Sequence, residues 1–98
     1  MKPIAIAPAA QAELSAAAAW YEARATGVGE KFLMRVDDAI KRISEHPSSF
    51  PVWAAAPRFR KVVTEKFPYV VFYRDTSERI EIVAIAHGSR LPGFWLKR

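Results

Sequence analysis

The side chains best suited to chemistry are basic residues at the ends of predicted strands. Arg60 lies in one strand, and His87 and Arg90 follow another. A phosphodiester transition state carries extra negative charge, which Arg and Lys stabilise, and RNA cleavage also needs a base and an acid. The imidazole of His87 can serve as either. The sequence therefore identifies Arg60, His87 and Arg90 as catalytic residues if the protein is a nuclease.

The same stretch also fits a surface that binds without doing chemistry. Charges at strand ends can form a solvated rim, and Tyr69 and Tyr73, on one face of their strand, can stack on a base or pack in the core. Neighbouring strand ends of a meander meet at the surface, so we expect the basic residues to form one patch. The expected binding residues are Arg58, Lys61, Tyr69, Tyr73 and Arg74.

Other kinds of site are disfavoured by residue type and spacing. The chain has no cysteine, and its two histidines, His46 and His87, are far apart without ligand-spaced partners. Residues 27–29, GVG, lack the preceding strand and the further glycine of a nucleotide-binding loop. We therefore expect no metal site and no cofactor.

Length and charge limit the protein's class and partners. A chain of 98 residues with 51% apolar content is one folded domain. The N-terminus lacks a signal-peptide pattern, and no apolar run is long enough to span a membrane, so we expect a cytoplasmic protein without membrane contact. The net charge of +5 favours a polyanionic or acidic protein partner.

The first half of the chain predicts a short strand and two helices. Residues 3–7 form the strand, Pro8 suits the first position of a helix, and the alanine-rich residues 9–24 form helix one. After a turn, residues 30–45 form helix two, with apolar residues at helical spacing on one face. This is an αα-hairpin.

The second half predicts three strands after a proline-rich connector, residues 48–57. Residues 58–74 hold two strands hinged at 67–68, FP, and residues 79–86 return with apolar side chains on both faces, as in a strand covered on two sides. The whole is an α+β domain of order β-α-α-β-β-β, with an antiparallel sheet and the αα-hairpin packed on one face.

The order of elements, the strand FPYVVFY at 67–73 and the stretch HGSRLPGFW at 87–95 resemble the RelE/ParE superfamily of bacterial toxins. The similarity covers nearly the whole chain, including AEL at 12–14 and WY at 20–21. It implies the toxin of a type II, plasmid-stabilisation-type toxin-antitoxin pair, which inhibits growth and is neutralised by a small cognate antitoxin. On matching positions, Arg60 or Lys61 is the strand-two basic residue, Arg74 the strand-three one, and His87 with Arg90 the C-terminal group. Trp95 joins the predicted binding residues.

The resemblance leaves the target open between two classes. RelE-like members cut messenger RNA on the ribosome, whereas ParE-like members inhibit DNA gyrase. Phe94 stands where many relatives have a tyrosine, and phenylalanine cannot exchange a proton. The helix-two ending, the proline-containing strand and the short tail place the chain closer to the ParE branch. A degenerate toxin that only binds antitoxin is a third alternative.

Overall fold

Two helices form where the alanine-rich and amphipathic stretches predict them. In the computed structural model, which describes residues 2–90 and 93–97, α1 spans Pro8–Arg24 and α2 spans Val28–Glu45. Pro8 sits in the first turn of α1, where a missing N–H costs no helical hydrogen bond. Within the described part of the chain, neither helix is long and apolar enough to cross a membrane.

The turn between the helices is fixed by a side chain that caps the second one. Gly27 has a φ of 88°, which glycine adopts without strain. The carboxylate of Glu22 accepts hydrogen bonds from the backbone N–H groups of Gly27, at 2.9 Å, and Gly29, at 3.1 Å. A Cβ at Gly29 would lie 2.6 Å from the carbonyl oxygen of Ala18. This close contact and the cap let α2 begin two residues earlier than predicted.

Among residues 2–90 and 93–97, four strands form one mixed sheet. Its strands are β1, Ile4–Ile6; β2, Arg60–Val63; β3, Tyr69–Asp75; and β4, Ile80–His87, in the spatial order β1-β4-β3-β2. The antiparallel meander of β2, β3 and β4 is confirmed. The expectation of a wholly antiparallel sheet was wrong, because β1 pairs with β4 in parallel. A parallel neighbour requires a long crossover, and the helical pair with the following strands supplies one.

The helices cover one face of the sheet, as predicted. The apolar stripes of both helices meet the inward side chains of β3 and β4 in one core. An irregularity in the pairing near Phe72 and Tyr73 lets both Ile82 and Ile85 reach this side. The fully buried large side chains of this core are Phe32, Val36, Ile43, Val71, Tyr73, Ile80, Ile82 and Ile85.

The second face of the sheet is covered by chain that the sequence left as connector and tail. Phe72 and Ala84 point to this side and pack against Trp95, which lies in the 3₁₀ helix Phe94–Lys97, and against Trp53 of the connector. The rings of Phe72 and Trp95 have centroids 4.0 Å apart. Residues 91 and 92 of the C-terminal stretch that carries the family resemblance lie outside the described residues.

Replacing the fully buried Ile43 by alanine should lower the free energy of unfolding by about 2–5 kcal/mol, because the core would lose apolar contacts and gain a cavity. The matched control on the same helix is Lys41→Ala, whose ion pair with Asp37 is exposed and should contribute little. Chemical denaturation measures both. Equal, small changes would show that the core does not depend on this face of α2.

Candidate binding groove and basic cavity

Arg60 does not join the other predicted catalytic residues. It pairs in register with Tyr73, whereas His87 pairs with Tyr69, four residues along β3 and hence about 13 Å away along the strand. The guanidinium of Arg60 donates a 2.6 Å hydrogen bond to the carbonyl oxygen of Phe50 in the connector. Arg60 therefore ties the connector to β2, and the expectation of a single patch with His87 is corrected.

Arg58 and Arg74 lie in a different region, near the second face of the sheet. Arg74 binds the carboxylate of Glu81 through Nε at 3.0 Å and Nη2 at 2.6 Å, and Arg79 binds the other oxygen at 2.8 Å. These hydrogen bonds, from Arg74 first, lower the pKa of Glu81. The guanidinium of Arg58 lies 4.7 Å from the centroid of the Phe59 ring. Arg58 and Arg74 line one depression with Glu81, so a carboxylate already balances part of their charge.

Two predicted binding residues are buried and take part in packing. Tyr73 is fully buried, and its hydroxyl donates a 2.6 Å hydrogen bond to the carbonyl oxygen of Pro47. Trp95 is 4% exposed, between Phe72 and Trp53. Neither offers a surface on which a base can stack. The expectation that both bind a partner directly is corrected, because covering both sheet faces requires these rings.

Lys61, His87 and Arg90 do come together. They line a cavity of about 100 Å³ beside the rings of Trp53 and Phe94 on the second face of the sheet. The guanidinium of Arg90 stacks on Phe94, 3.5 Å from the ring centroid. The structure thus gathers part of the predicted basic set at the end of β4. Lys61 reaches it because strand alternation turns Lys61 to the face opposite Arg60.

His87 presents a hydrogen-bond donor to its surroundings. Its Nδ1 accepts a 3.0 Å hydrogen bond from the backbone N–H of Ser89 and lies 2.7 Å from the Ser89 hydroxyl. A backbone N–H can only donate, so the neutral ring carries its proton on Nε2. The lone pair that a general base would use is therefore engaged within the chain. This geometry suits binding an acceptor better than removing a proton.

A larger groove runs between α1 and the end of β4. It measures about 430 Å³, and its floor includes Ala16, Ala17 and Ile85. Trp20 forms one wall and is 51% exposed, with the guanidinium of Arg24 3.5 Å from its ring centroid. Tyr69, whose pKa is raised by burial, closes the other side together with His87, Glu13 and Arg90. An exposed tryptophan above small residues is a surface that another protein can fill.

Sequence reasoning did not select Glu13 and Trp20 as functional residues. The signal was present, because positions 13, 16, 17 and 20 recur at helical spacing beside the core-facing stripe of α1. A tryptophan and a carboxylate flanking two alanines mark a second apolar strip on the helix. The sequence pattern does not show which strand this strip faces. The packed structure shows that it faces the end of β4. Among the described residues, no cluster of three potential metal ligands occurs.

The mixed sheet with the αα-hairpin on one face is an α+β fold that a solved structure shares. The chain aligns with a solved structure titled "Chromosomal ParDE TA system from P. aeruginosa" at a TM-score of 0.68, covering 89% of this chain and 96% of that one. At 21% identity this likeness shows the fold alone. A family model described as "ParE toxin of type II toxin-antitoxin system, parDE" matches residues 4–92. The chain therefore belongs to the ParE toxin family.

Curated relatives are similar to this chain over part of their length. The chain is 40% identical over 60 residues to "Toxin ParE2" of Mycobacterium tuberculosis, in the strains CDC 1551 / Oshkosh and ATCC 25618 / H37Rv. The match covers 58% of this chain and 52% of that protein. The chain thus spans about half the length of the curated relatives it matches.

Tyr73→Phe tests the buried hydroxyl. Near neutral pH it should lower the free energy of unfolding by about 1 kcal/mol, because the Pro47 carbonyl loses its donor. Burial raises the pKa of Tyr73 from 10.0 to about 12, partly offset by the charge of Arg60. Between these values the unfolded chain loses the proton and the folded protein keeps it, so the wild type loses stability as pH rises.

The variant has no such loss, so the stability gap between it and the wild type should narrow as the pH rises above about 10. Chemical denaturation at neutral and alkaline pH measures this gap. A gap that is constant over that range would mean that Tyr73 ionises as readily in the folded protein as in the unfolded chain.

Proposed function

We propose that this chain is a cytoplasmic toxin that inhibits DNA gyrase by binding it, and that a small acidic antitoxin neutralises it. Membership of the ParE toxin family supports the toxin role. The antitoxin partner fits a family defined by a toxin-antitoxin pair, and the net charge of +5 favours an acidic one. The gyrase target rests on the resemblance to the ParE branch.

The observation that supports inhibition by binding is the position and hydrogen bonding of the predicted catalytic residues Arg60 and His87. Arg60 holds the connector carbonyl of Phe50, about 13 Å along the sheet from His87. His87 has its Nδ1 engaged by Ser89. A metal-independent ribonuclease needs a base and several cations around one phosphate. Here Arg60 and His87 lie apart, so the arrangement supports inhibition by binding the target over inhibition by cleaving RNA.

The groove between α1 and β4 is the surface that we assign to the antitoxin. Its apolar floor and the exposed Trp20 provide the kind of aromatic anchor that dominates interface affinity. Arg24 and Arg90 flank it with positive charge, which attracts an acidic segment. A disordered segment that folds on binding can cover much of such a small domain.

The first experiment tests the toxin role and its target. Expressed alone, the chain should arrest growth, and coexpression of the product of the adjacent reading frame should restore it. Purified chain should inhibit supercoiling by gyrase and leave ribosome-bound transcripts intact. Healthy cells at full expression of folded chain would overturn the toxin role, and unaffected supercoiling would overturn the target.

One observation favours the ribonuclease alternative: Lys61, His87 and Arg90 line a single cavity. If the cavity cuts ribosome-bound messenger RNA, Arg90→Ala should slow cleavage by about a hundredfold, as loss of a transition-state donor does. Arg60→Ala should instead act through stability, because it frees the Phe50 carbonyl. Intact transcripts with the wild-type chain would remove this alternative.

Trp20→Ala should weaken antitoxin binding by at least about tenfold, because a central aromatic anchor is worth more than about 1.4 kcal/mol. The matched control is Met34→Ala, which removes another exposed apolar side chain, from α2 and outside the groove. Titration calorimetry with the adjacent gene product gives both affinities. Equal losses in the two variants would show that the groove is not the antitoxin surface.

A further inference from the structure

The outer edge of β4 is only half covered. β1 pairs with residues 80–82 of β4. The hydrogen bond from the N–H of Ala7 to the carbonyl of Ile82 follows at the end of this pairing. β4 continues to His87. Within the part of the chain that the structure describes, no strand lies beside its last residues on that side. An unpaired strand edge is a template for an added strand.

The backbone of Ile85 and His87 is directed toward this open edge. The carbonyl of Tyr69, opposite His87, accepts the N–H of Thr64 at 2.9 Å and thus faces β2. The Tyr69–His87 pair is therefore one without mutual hydrogen bonds, which turns the N–H and carbonyl of His87 away from β3. The carbonyl already accepts the N–H of Arg90 at 3.0 Å, so the N–H of His87 is the group that an added strand would bind. The N–H and carbonyl groups of every second residue of a strand point to the same side, so the N–H and carbonyl of Ile85 face the same edge.

The chain fills part of this edge with a side chain. Oε1 of Glu13 accepts the N–H of Ile85 at 3.1 Å, in the place of an added strand's carbonyl. Oε2 of Glu13 lies 3.6 Å from the guanidinium of Arg90, which stacks on Phe94. The Glu13 side chain is 14% exposed and that of Arg90 54%. The carboxylate of Glu13 thus takes the place of one hydrogen-bond acceptor of an added strand. Arg90, which pairs with it, is exposed to solvent.

We propose that the antitoxin adds an extended segment to β4 at Ile85 and His87 and displaces the carboxylate of Glu13. The segment carries an apolar side chain into the groove beside Trp20 and an acidic side chain that replaces Glu13 on Arg90. Main-chain hydrogen bonds supply affinity and the pocket supplies specificity in this mode of recognition. The inference rests on the proposed antitoxin partner and names how it binds.

Amide hydrogen exchange of the full chain tests the added strand. With the product of the adjacent reading frame bound, exchange at the His87 amide should slow by at least about tenfold, because the amide gains a carbonyl partner. The Gly88 amide is a built-in control, since it already donates to the carbonyl of Pro68 at 2.7 Å. A complex with unchanged His87 exchange overturns the inference and leaves the proposed function intact. Failure to form any complex overturns both.

Affinity tests the displacement of Glu13. Glu13→Ala should bind the same product about threefold to tenfold more tightly, because no hydrogen bond within the chain must be broken first. Glu30→Ala, at an exposed position of α2, changes the net charge equally and should leave affinity unchanged. Unchanged or weaker binding by Glu13→Ala overturns the displacement.

A second substitution covers the case in which the alanine variant does not fold. Glu13→Gln keeps an oxygen for the Ile85 N–H and loses the ion pair with Arg90. It should tighten binding by a smaller factor than alanine, in the same direction. Weaker binding by the glutamine variant counts against displacement as well.

Discussion

The structure depends on burying two consecutive side chains of β3 on opposite faces of one sheet. Phe72 and Tyr73 are both buried, and strand alternation sends them to opposite sides. Each face must therefore be covered, although the residues that the structure describes form only two long helices. The αα-hairpin covers the face of Tyr73. The connector and the 3₁₀ helix cover the face of Phe72, because burying these rings removes a large apolar area from water.

This double cover determines which basic residues are left for function. Arg60 holds the connector against β2, and Arg74 is neutralised by Glu81. The hydroxyl of Tyr73 is engaged by the Pro47 carbonyl just after α2. Residues that look functional by type thus hold the fold together. Lys61, His87 and Arg90 remain around the small cavity on the second face of the sheet.

The exposed end of the sheet follows from the shortness of β1. That strand has three residues, and α1 begins at Pro8, so β4 continues beyond its parallel neighbour. Small side chains on α1 then leave a groove, since alanine fills little space over β4. Glu13 satisfies one backbone group along this edge, which avoids a fully unpaired strand. Glu13 therefore lines the proposed binding groove and also satisfies a backbone N–H of the open strand edge.

The sequence alone determined the element order, the helix faces and the meander, because propensity, proline positions and apolar periodicity are local properties of the chain. It also indicated the ParE branch, through short motifs in a fixed order. The parallel pairing of β1, the burial of Trp95 and Tyr73, and the separation of Arg60 from His87 were decided by tertiary structure. Each depends on which distant segment lies opposite a residue, and a strand pattern records which face a side chain takes without recording what covers that face. The groove at Glu13 and Trp20 has the same origin, since one wall comes from α1 and the other from β4, far apart in the chain.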